Sequence, residues 1–156
     1  MRVLIIGFGN PLRSDDGLGW HVAEQLSRQL SQNDVQVIAV HQLTPEMAEL
    51  ASHVERMLFI DASRMGEPGT LQCETVVPAV ASSRYSHDLS PAALLGLAQE
   101  LYGRCPEAYL LSIAGECFET GDTMSATVEK AIPSLLAEVD RLLDSAWVRP
   151  GWSWLS

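Results

Sequence analysis

Three carboxylates and one imidazole are the side chains of this chain best suited to chemistry. Asp15 and Asp16 follow a glycine-rich turn near the start, Asp61 closes a later apolar run, and His87 stands beside Asp88 ahead of a Ser-Pro pair. Two aspartates and an imidazole make a mixed oxygen and nitrogen donor set, which suits a hard or borderline divalent ion. Three protein ligands with open positions would mark a site that meets a substrate. Each residue also has an ordinary role. Asp15 or Asp16 could cap a helix, where a carboxylate meets free N–H groups and the positive dipole end. Asp61 could be an Asx-turn residue, and His87 an exposed loop histidine. Only their placement in a fold can argue for a joint site.

The elements that must supply this placement are legible in the pattern. Val3–Ile6 is a short unbroken apolar run closed by Gly7, as in a buried parallel strand. Gly7–Gly19, with four glycines and a proline, reads as a loop. Leu18, Val22, Leu26 and Leu30 recur at a spacing of four and mark an amphipathic helix. Val35–Val40 is a second strand, and Thr44-Pro45 reads as N-cap and first residue of a short helix ending near Ser52. Met57–Ile60 is a third strand that delivers Asp61 at its C-terminal end. Gly66-Glu67-Pro68-Gly69 is turn chemistry, and Thr70–Val77 alternates as an edge strand does. Ala79–Asp88 is polar and reads as loop. Ser90-Pro91 opens a helix to about Tyr102, Ala108–Ile113 is a buried strand, and a last helix covers about Met124 to Leu143. Pro133 inside it predicts a kink or a division.

This order predicts one α/β domain over residues 1–156, a three-layer α/β/α sandwich with a mostly parallel twisted sheet of about five strands. Residues 146–156, with two tryptophans and no periodicity, read as a tail. Ligands of open α/β sheets sit beyond the carboxyl ends of the strands. Asp15, Asp16, Asp61 and the loop with His87 all fall at such places, which is the argument from the residues for one site.

Composition narrows the partners. The formal net charge is −10, which repels phosphate backbones and argues against nucleic acid. A cation or a basic protein segment is the more natural ligand. Cys73, Cys105 and Cys117 are odd in number and form no Cys-x-x-Cys pair, so neither a disulfide framework nor a thiolate zinc site is indicated. They read as small buried hydrophobes of a reducing compartment. The N-terminal apolar run stops at Gly7, too early for a signal-peptide core, and no stretch is long enough to span a bilayer. The expectation is a cytoplasmic monomer with no membrane partner. Gly7-Phe8-Gly9-Asn10-Pro11-Leu12 begins like a dinucleotide fingerprint but has Leu12 where a glycine is required. Asp15 and Asp16 also stand where a pyrophosphate needs positive potential. The glycines are better read as permitting a tight turn and close backbone approach.

The segment from Gly7 to Gly19, Gly-Phe-Gly-Asn-Pro-Leu-Arg-Ser-Asp-Asp-Gly-Leu-Gly, resembles the N-terminal signature of the hydrogenase maturation proteases. That pattern is Gly-x-Gly-Asn-x-Leu, then Asp followed by Asp or Glu, then a small residue. Ile60-Asp61-Ala62 is similar to the family's strand-end aspartate, and Ser86-His87-Asp88-Leu89 to its histidine before a helix. Length and element order agree, so the likeness spans the whole domain. It implies that Asp16, Asp61 and His87 are the metal ligands and catalytic residues. It also implies an endopeptidase that cuts a C-terminal extension from a hydrogenase large-subunit precursor after nickel insertion. The nickel would come with the precursor. Asp15 keeps its capping role in this reading. Many members carry an Asp-Gly-Gly-Thr-like stretch where this chain has His41-Gln42-Leu43-Thr44-Pro45-Glu46. This departure is similar to the subgroup serving bidirectional, NAD(P)-linked hydrogenases, and it makes His41 a candidate for substrate selection beside its plain role as a strand-end histidine.

Two other classes compete. Peptidyl-tRNA hydrolase also begins with a strand and a Gly-x-Gly-Asn-Pro turn. It needs a basic surface and a catalytic histidine in the following segment, where this acidic chain offers only His21. A non-catalytic nickel-sensing docking module would bind the precursor without cutting it.

Overall fold

The computed structural model describes residues 2–30, 33–80 and 89–147. Its centre is formed by the two strands with the longest apolar runs, β1 (Val3–Phe8) and β3 (Arg56–Ser63), which pair in parallel from Val3 opposite Arg56 to Gly7 opposite Ile60. Strand β2 (Val35–Val40) joins the free side of β1 in parallel, and β5 (Glu107–Ala114) joins the free side of β3 in parallel. Strand β4 (Leu71–Val76) closes the far edge antiparallel to β5. The order is therefore β2-β1-β3-β5-β4, five strands, four of them parallel.

A strand presents alternate residues to opposite faces, and both faces are apolar here. Val3, Ile5, Leu58 and Ile60 pack with Val22 and Leu26 of α1 (Leu18–Gln29) and with Val128, Leu135 and Val139 of α4 (Ala126–Trp147). Leu4, Ile6, Met57 and Phe59 pack on the opposite face with Ala48 of α2 (Met47–Ser52) and Leu94 and Leu95 of α3 (Pro91–Tyr102). These are the three layers anticipated from the element order. Each such large side chain contributes about 1.5–3 kcal/mol on burial, which fixes the sheet as a rigid platform.

Several boundaries differ from the sequence reading. Helix α2 begins at Met47, not Pro45, because the N–H groups of Met47, Ala48 and Glu49 bond three residues back to Thr44, Pro45 and Glu46. Asp61 lies inside β3, which runs on to Ser63 beside β5. Helix α4 passes through Pro133 undivided, held by Val128 and Leu135, fully buried in one core on either side. It ends at Trp147, so residues 146 and 147 are helical and the rest of the proposed tail lies outside the described residues. The cysteines are free, and none is buried: Cys73 is exposed on the edge strand and the other two are half-buried. An edge strand packed by few neighbours leaves its thiol in solvent.

Within the supposed loop 7–19, Ser14–Gly17 forms a 3₁₀ turn leading into α1. Asp15 does not cap that turn or α1, whose N-cap positions make no side-chain hydrogen bond. It points inward instead, with no exposed surface. Its carboxylate accepts from the N–H groups of Glu116 (2.8 Å), Cys117 (2.9 Å) and Ser125 (2.7 Å), and from the Ser125 hydroxyl (2.9 Å). Ser125 Oγ in turn accepts from Val128 N–H in the first turn of α4. Capping is thus the right chemistry at the wrong helix: Asp15 ties the loop after β5 and the start of α4 to the loop after β1. Burial raises the Asp15 pKa, but the four donors, led by the Ser125 N–H, outweigh it and hold the carboxyl below its ordinary 3.8.

Asp15→Ala would leave these donors without an acceptor, and we expect a stability loss of about 3 kcal/mol from the unsatisfied groups. Because the folded-state pKa is depressed, the Asp15 contribution is present above pH 3.8 and fades as pH falls below it. Urea midpoints of the two proteins should differ clearly at pH 7 and converge in acid. Coincident midpoints at pH 7 would contradict the clasp.

Candidate functional site

Two parallel strands that lie side by side must release their chains at the same rim of the sheet, and β1 and β3 do so next to each other. The chain leaving β1 turns at Gly9, whose φ of +145° lies in the region that favours glycine. A Cβ there would sit 1.9 Å from the backbone oxygen of Asp16, so the loop folds back tightly over the strand end. Helix α1 then starts against the same strands: a Cβ on Gly19 would sit 2.2 Å from Ile60 O and 2.5 Å from Phe8 O. This close approach carries Asp16, on the 3₁₀ turn, to the rim where β3 presents Asp61. The glycines thus do what the sequence analysis inferred for them.

Both aspartates line one open cleft of about 730 Å³, with Phe8, Asn10, Arg13, His41, Gln42, Leu43, Arg64 and Leu89 on its other walls. Asp16 Oδ2 accepts from Asn10 N–H at 2.9 Å, and Asn10 Oδ1 accepts from Leu12 N–H at 2.9 Å, so the turn is held by its own side chains. Asp61 Oδ1 accepts from Ala62 N–H at 2.8 Å. Burial pushes the Asp61 carboxyl up to about 7. The Ala62 N–H pulls the other way, the Asp16 charge adds to the rise, and Arg64 opposes it. A carboxyl poised there can exchange a proton near neutral pH or meet a cation.

Of the candidate residues, the fold brings Asp16, Asp61 and His41 into one cleft, and sends Asp15 elsewhere. His87 lies outside the described residues, although Leu89, two positions on, is at the cleft wall. Among the described residues no three histidine, cysteine or carboxylate side chains form a metal-holding group. The donor set among the described residues therefore amounts to two carboxylates, one of them raised in pKa chiefly by its burial. Sequence reasoning missed Asn10, Arg13 and Arg64. The first two were inside the quoted signature, and Arg64 follows Asp61 by three residues, but a basic residue near an acidic pair carries no signal until the cleft is seen.

Comparison with known proteins finds similar chains. No family profile matches the chain. The Hydrogenase 2 maturation protease of Escherichia coli is 27% identical over 146 residues, covering 89% of this chain and 88% of that protein. A protein of Methanocaldococcus jannaschii, provisionally named a hydrogenase maturation protease, is 26% identical over 152 residues, 89% of this chain and 97% of its own. The structure of a hydrogenase maturating endopeptidase from Escherichia coli superposes with a TM-score of 0.74 at 26% identity, over 96% of each chain. This chain is similar over most of its length to hydrogenase maturation proteases. A NiFe hydrogenase maturation protease from Thermococcus kodakarensis shares the fold at 20% identity, with a TM-score of 0.74 over 92% of each chain. The acidic site over β1 and β3 is where the glycine-rich segment 7–19 meets a cavity.

The raised pKa of Asp61 has a stability consequence. Its proton is held more tightly in the folded chain than in the unfolded one, so the stabilisation is complete below pH 3.8 and lost as pH rises through about 7. Asp61→Asn keeps the shape without the charge. We expect it to melt higher than the parent at pH 8, with the difference shrinking toward pH 4. Identical melting temperatures at pH 8 would show that Asp61 is not strained by its burial.

Proposed function

We propose that this chain removes the C-terminal extension from a NiFe hydrogenase large-subunit precursor after nickel insertion, and that Asp16, Asp61 and His87 read the nickel that the precursor brings. The observation that carries the reading is the convergence of Asp16 and Asp61 in one cleft, in a chain that shares its fold over 96% of its length with an endopeptidase of hydrogenase maturation. The position of His87 in the site rests on the resemblance of Ser86-His87-Asp88-Leu89 to the family's histidine.

The electrostatics support selection by metal. Two carboxylates face one cleft, and the Asp16 charge makes ionisation of Asp61 harder. A precursor carrying a partly coordinated cation relieves that repulsion on docking, whereas a metal-free precursor leaves the carboxylates without countercharge. The ion, a part of the substrate, supplies Lewis acidity toward a carbonyl or a bound water. Asp61, with a carboxyl pushed up to about 7, is suited to take a proton from the attacking water, and Asp16, bonded to Asn10 N–H, lines the same cleft. His41 and Gln42, which line the same cleft, are suited to select among large subunits, in keeping with the likeness to the bidirectional subgroup.

The nucleic-acid alternative finds no support in the cleft. Its walls carry His41, not His21, and the chain's charge of −10 opposes a polyanion. No helix among the described residues is long and apolar enough to cross a membrane. We place the protein in the cytoplasm, acting as a monomer.

Mass spectrometry of nickel-loaded precursor after incubation tests this. The parent protein should shorten the precursor, and Asp16→Asn and His87→Ala should fold but cut at least about a hundredfold more slowly, the usual weight of an acid–base group. Precursor prepared without metal should keep its mass. Equal cutting of metal-free and nickel-loaded precursor would overturn the sensing role, and tight binding without any cutting would leave a docking module.

A further inference from the structure

Strand β2 is one of the two edges of the sheet, and among the described residues only β1 pairs with it. In a parallel pair, alternate residues turn their backbone groups toward the neighbour and those between turn them away. The two ends of the ladder fix which are which. Val3 N–H donates to Asp34 O at 2.8 Å, and Gly9 N–H to Val40 O at 3.1 Å. Gln36, Ile38 and Val40 therefore face β1 with their backbone groups, and Val35, Val37 and Ala39 direct N–H and C=O outward. Among the described residues these outward groups have no hydrogen-bond partner.

An edge strand is a template for another chain, and proteins ordinarily guard it with charge, proline, a bulge or a short length. The opposite edge, β4, carries Glu74. Strand β2, Val-Gln-Val-Ile-Ala-Val, is six residues long with no charge and no proline, and its ladder with β1 runs from Val35 to Val40 without a bulge. Its side chains are engaged on both faces, Val35 and Val37 against one core and Ile38 and Val40 against the other. The edge is thus held straight before anything pairs with it, and backbone ordered in advance lowers the entropic cost of docking. The strand also leads into the cleft. Its last residue, Val40, stands opposite Phe8, which lines the cleft, and His41, Gln42 and Leu43, which follow directly, line it too.

We propose that the C-terminal extension of the precursor adds to the sheet as a further strand on β2, antiparallel to it. The proposal rests on the protease reading above and adds where the leaving segment lies. The carboxyl end of β2 is at the cleft. A chain whose cut bond is in the cleft, and whose free end lies beyond the cut, therefore runs back along β2 in the opposite direction. Antiparallel pairing is also the more stable kind per residue. Covering β2 takes about 20 Å of extended chain. Main-chain bonds supply the hold, so the extension needs an extended backbone with free N–H groups more than a particular sequence. Every second residue of it turns its N–H and C=O toward Val35, Val37 and Ala39.

The test places single prolines, one at a time, along the extension of nickel-loaded precursor, from the third residue after the cut onward. Steady-state cleavage by the parent protein is then measured. Proline removes one N–H, so KM should rise about tenfold at every second position and stay near its parent value at those between, with much smaller changes in kcat. Val37→Pro in the protease removes one outward donor and spares the bonds to β1, and it should raise KM by a similar factor. The proline scan uses the parent protease, so it decides the matter even where Val37→Pro melts early. Amide exchange in the free protein should be fast at Val35, Val37 and Ala39 and slow at Gln36 and Ile38. A precursor that is cut with a KM showing no alternation along the extension would overturn the added strand and leave the protease reading standing. Slow exchange at the three outward amides would also overturn it, because the edge would already be filled, by a second copy of the chain where the slowing grows with concentration. A parent that leaves the loaded precursor intact would remove the protease reading and the strand with it.

Discussion

The structure depends on how closely the first helix can approach the ends of two strands. Helix α1 begins with its backbone against the carbonyl oxygens of Phe8 and Ile60, a distance that leaves no room for a Cβ at Gly19. Gly7 is under the same restriction against Gly19 O, and Gly9 against Asp16 O. Were any of these contacts relaxed by a side chain, the 3₁₀ turn would lift from the sheet and Asp16 would leave the rim that β3 shares with β1. The glycine-rich start of the chain is therefore a packing device. It brings the Asp16 carboxylate over the strand ends, into the cleft that Asp61 also lines.

Two adjacent aspartates then meet opposite fates. In a 3₁₀ turn consecutive side chains point about 120° apart, so Asp15 and Asp16 cannot share a surface. Asp15 faces the loop after β5 and is surrounded by donors that favour its charge. Asp16 faces the cleft, where its charge works against the ionisation of Asp61. The domain thus holds one carboxylate charged to close its loops, and a second carboxyl, in the cleft, whose pKa burial raises to about 7. The clasp matters to the site because it fixes the turn on which Asp16 rides.

Similarity to the maturation proteases is in keeping with a site that need not hold a metal tightly by itself. Two carboxylates among the described residues are a poor permanent home for a borderline ion. On the proposed reading they would recognise one that arrives already partly coordinated, and a site incomplete alone would discriminate between a loaded and an unloaded partner, which a closed four-ligand site could not do.

Much of the fold was legible in the residues. Unbroken apolar runs, period-four spacing and the Ser90-Pro91 start gave every strand and helix of the final order, because burial on both sheet faces and helix capping are local or pattern-level demands. The Asp16 and Asp61 pairing also followed, since strand ends in parallel sheets collect at one rim. Other features depended on neighbours distant in the chain. The local pattern makes Asp15 a cap for its own helix, yet it serves the loop after β5 and the start of α4, more than a hundred residues on, because the donors that decide its role come from Glu116, Cys117 and Ser125. Cys73, expected among small buried hydrophobes, is exposed on β4, the edge position that the alternation of Thr70–Val77 already indicates. What the arginines of the cleft face depends on neighbours distant in the chain. The sequence by itself determined which elements form and which acids stand at their ends. Only the tertiary structure decided what each acid and arginine faces, since hydrogen-bond partners and desolvation are set by chain segments that no local pattern brings together.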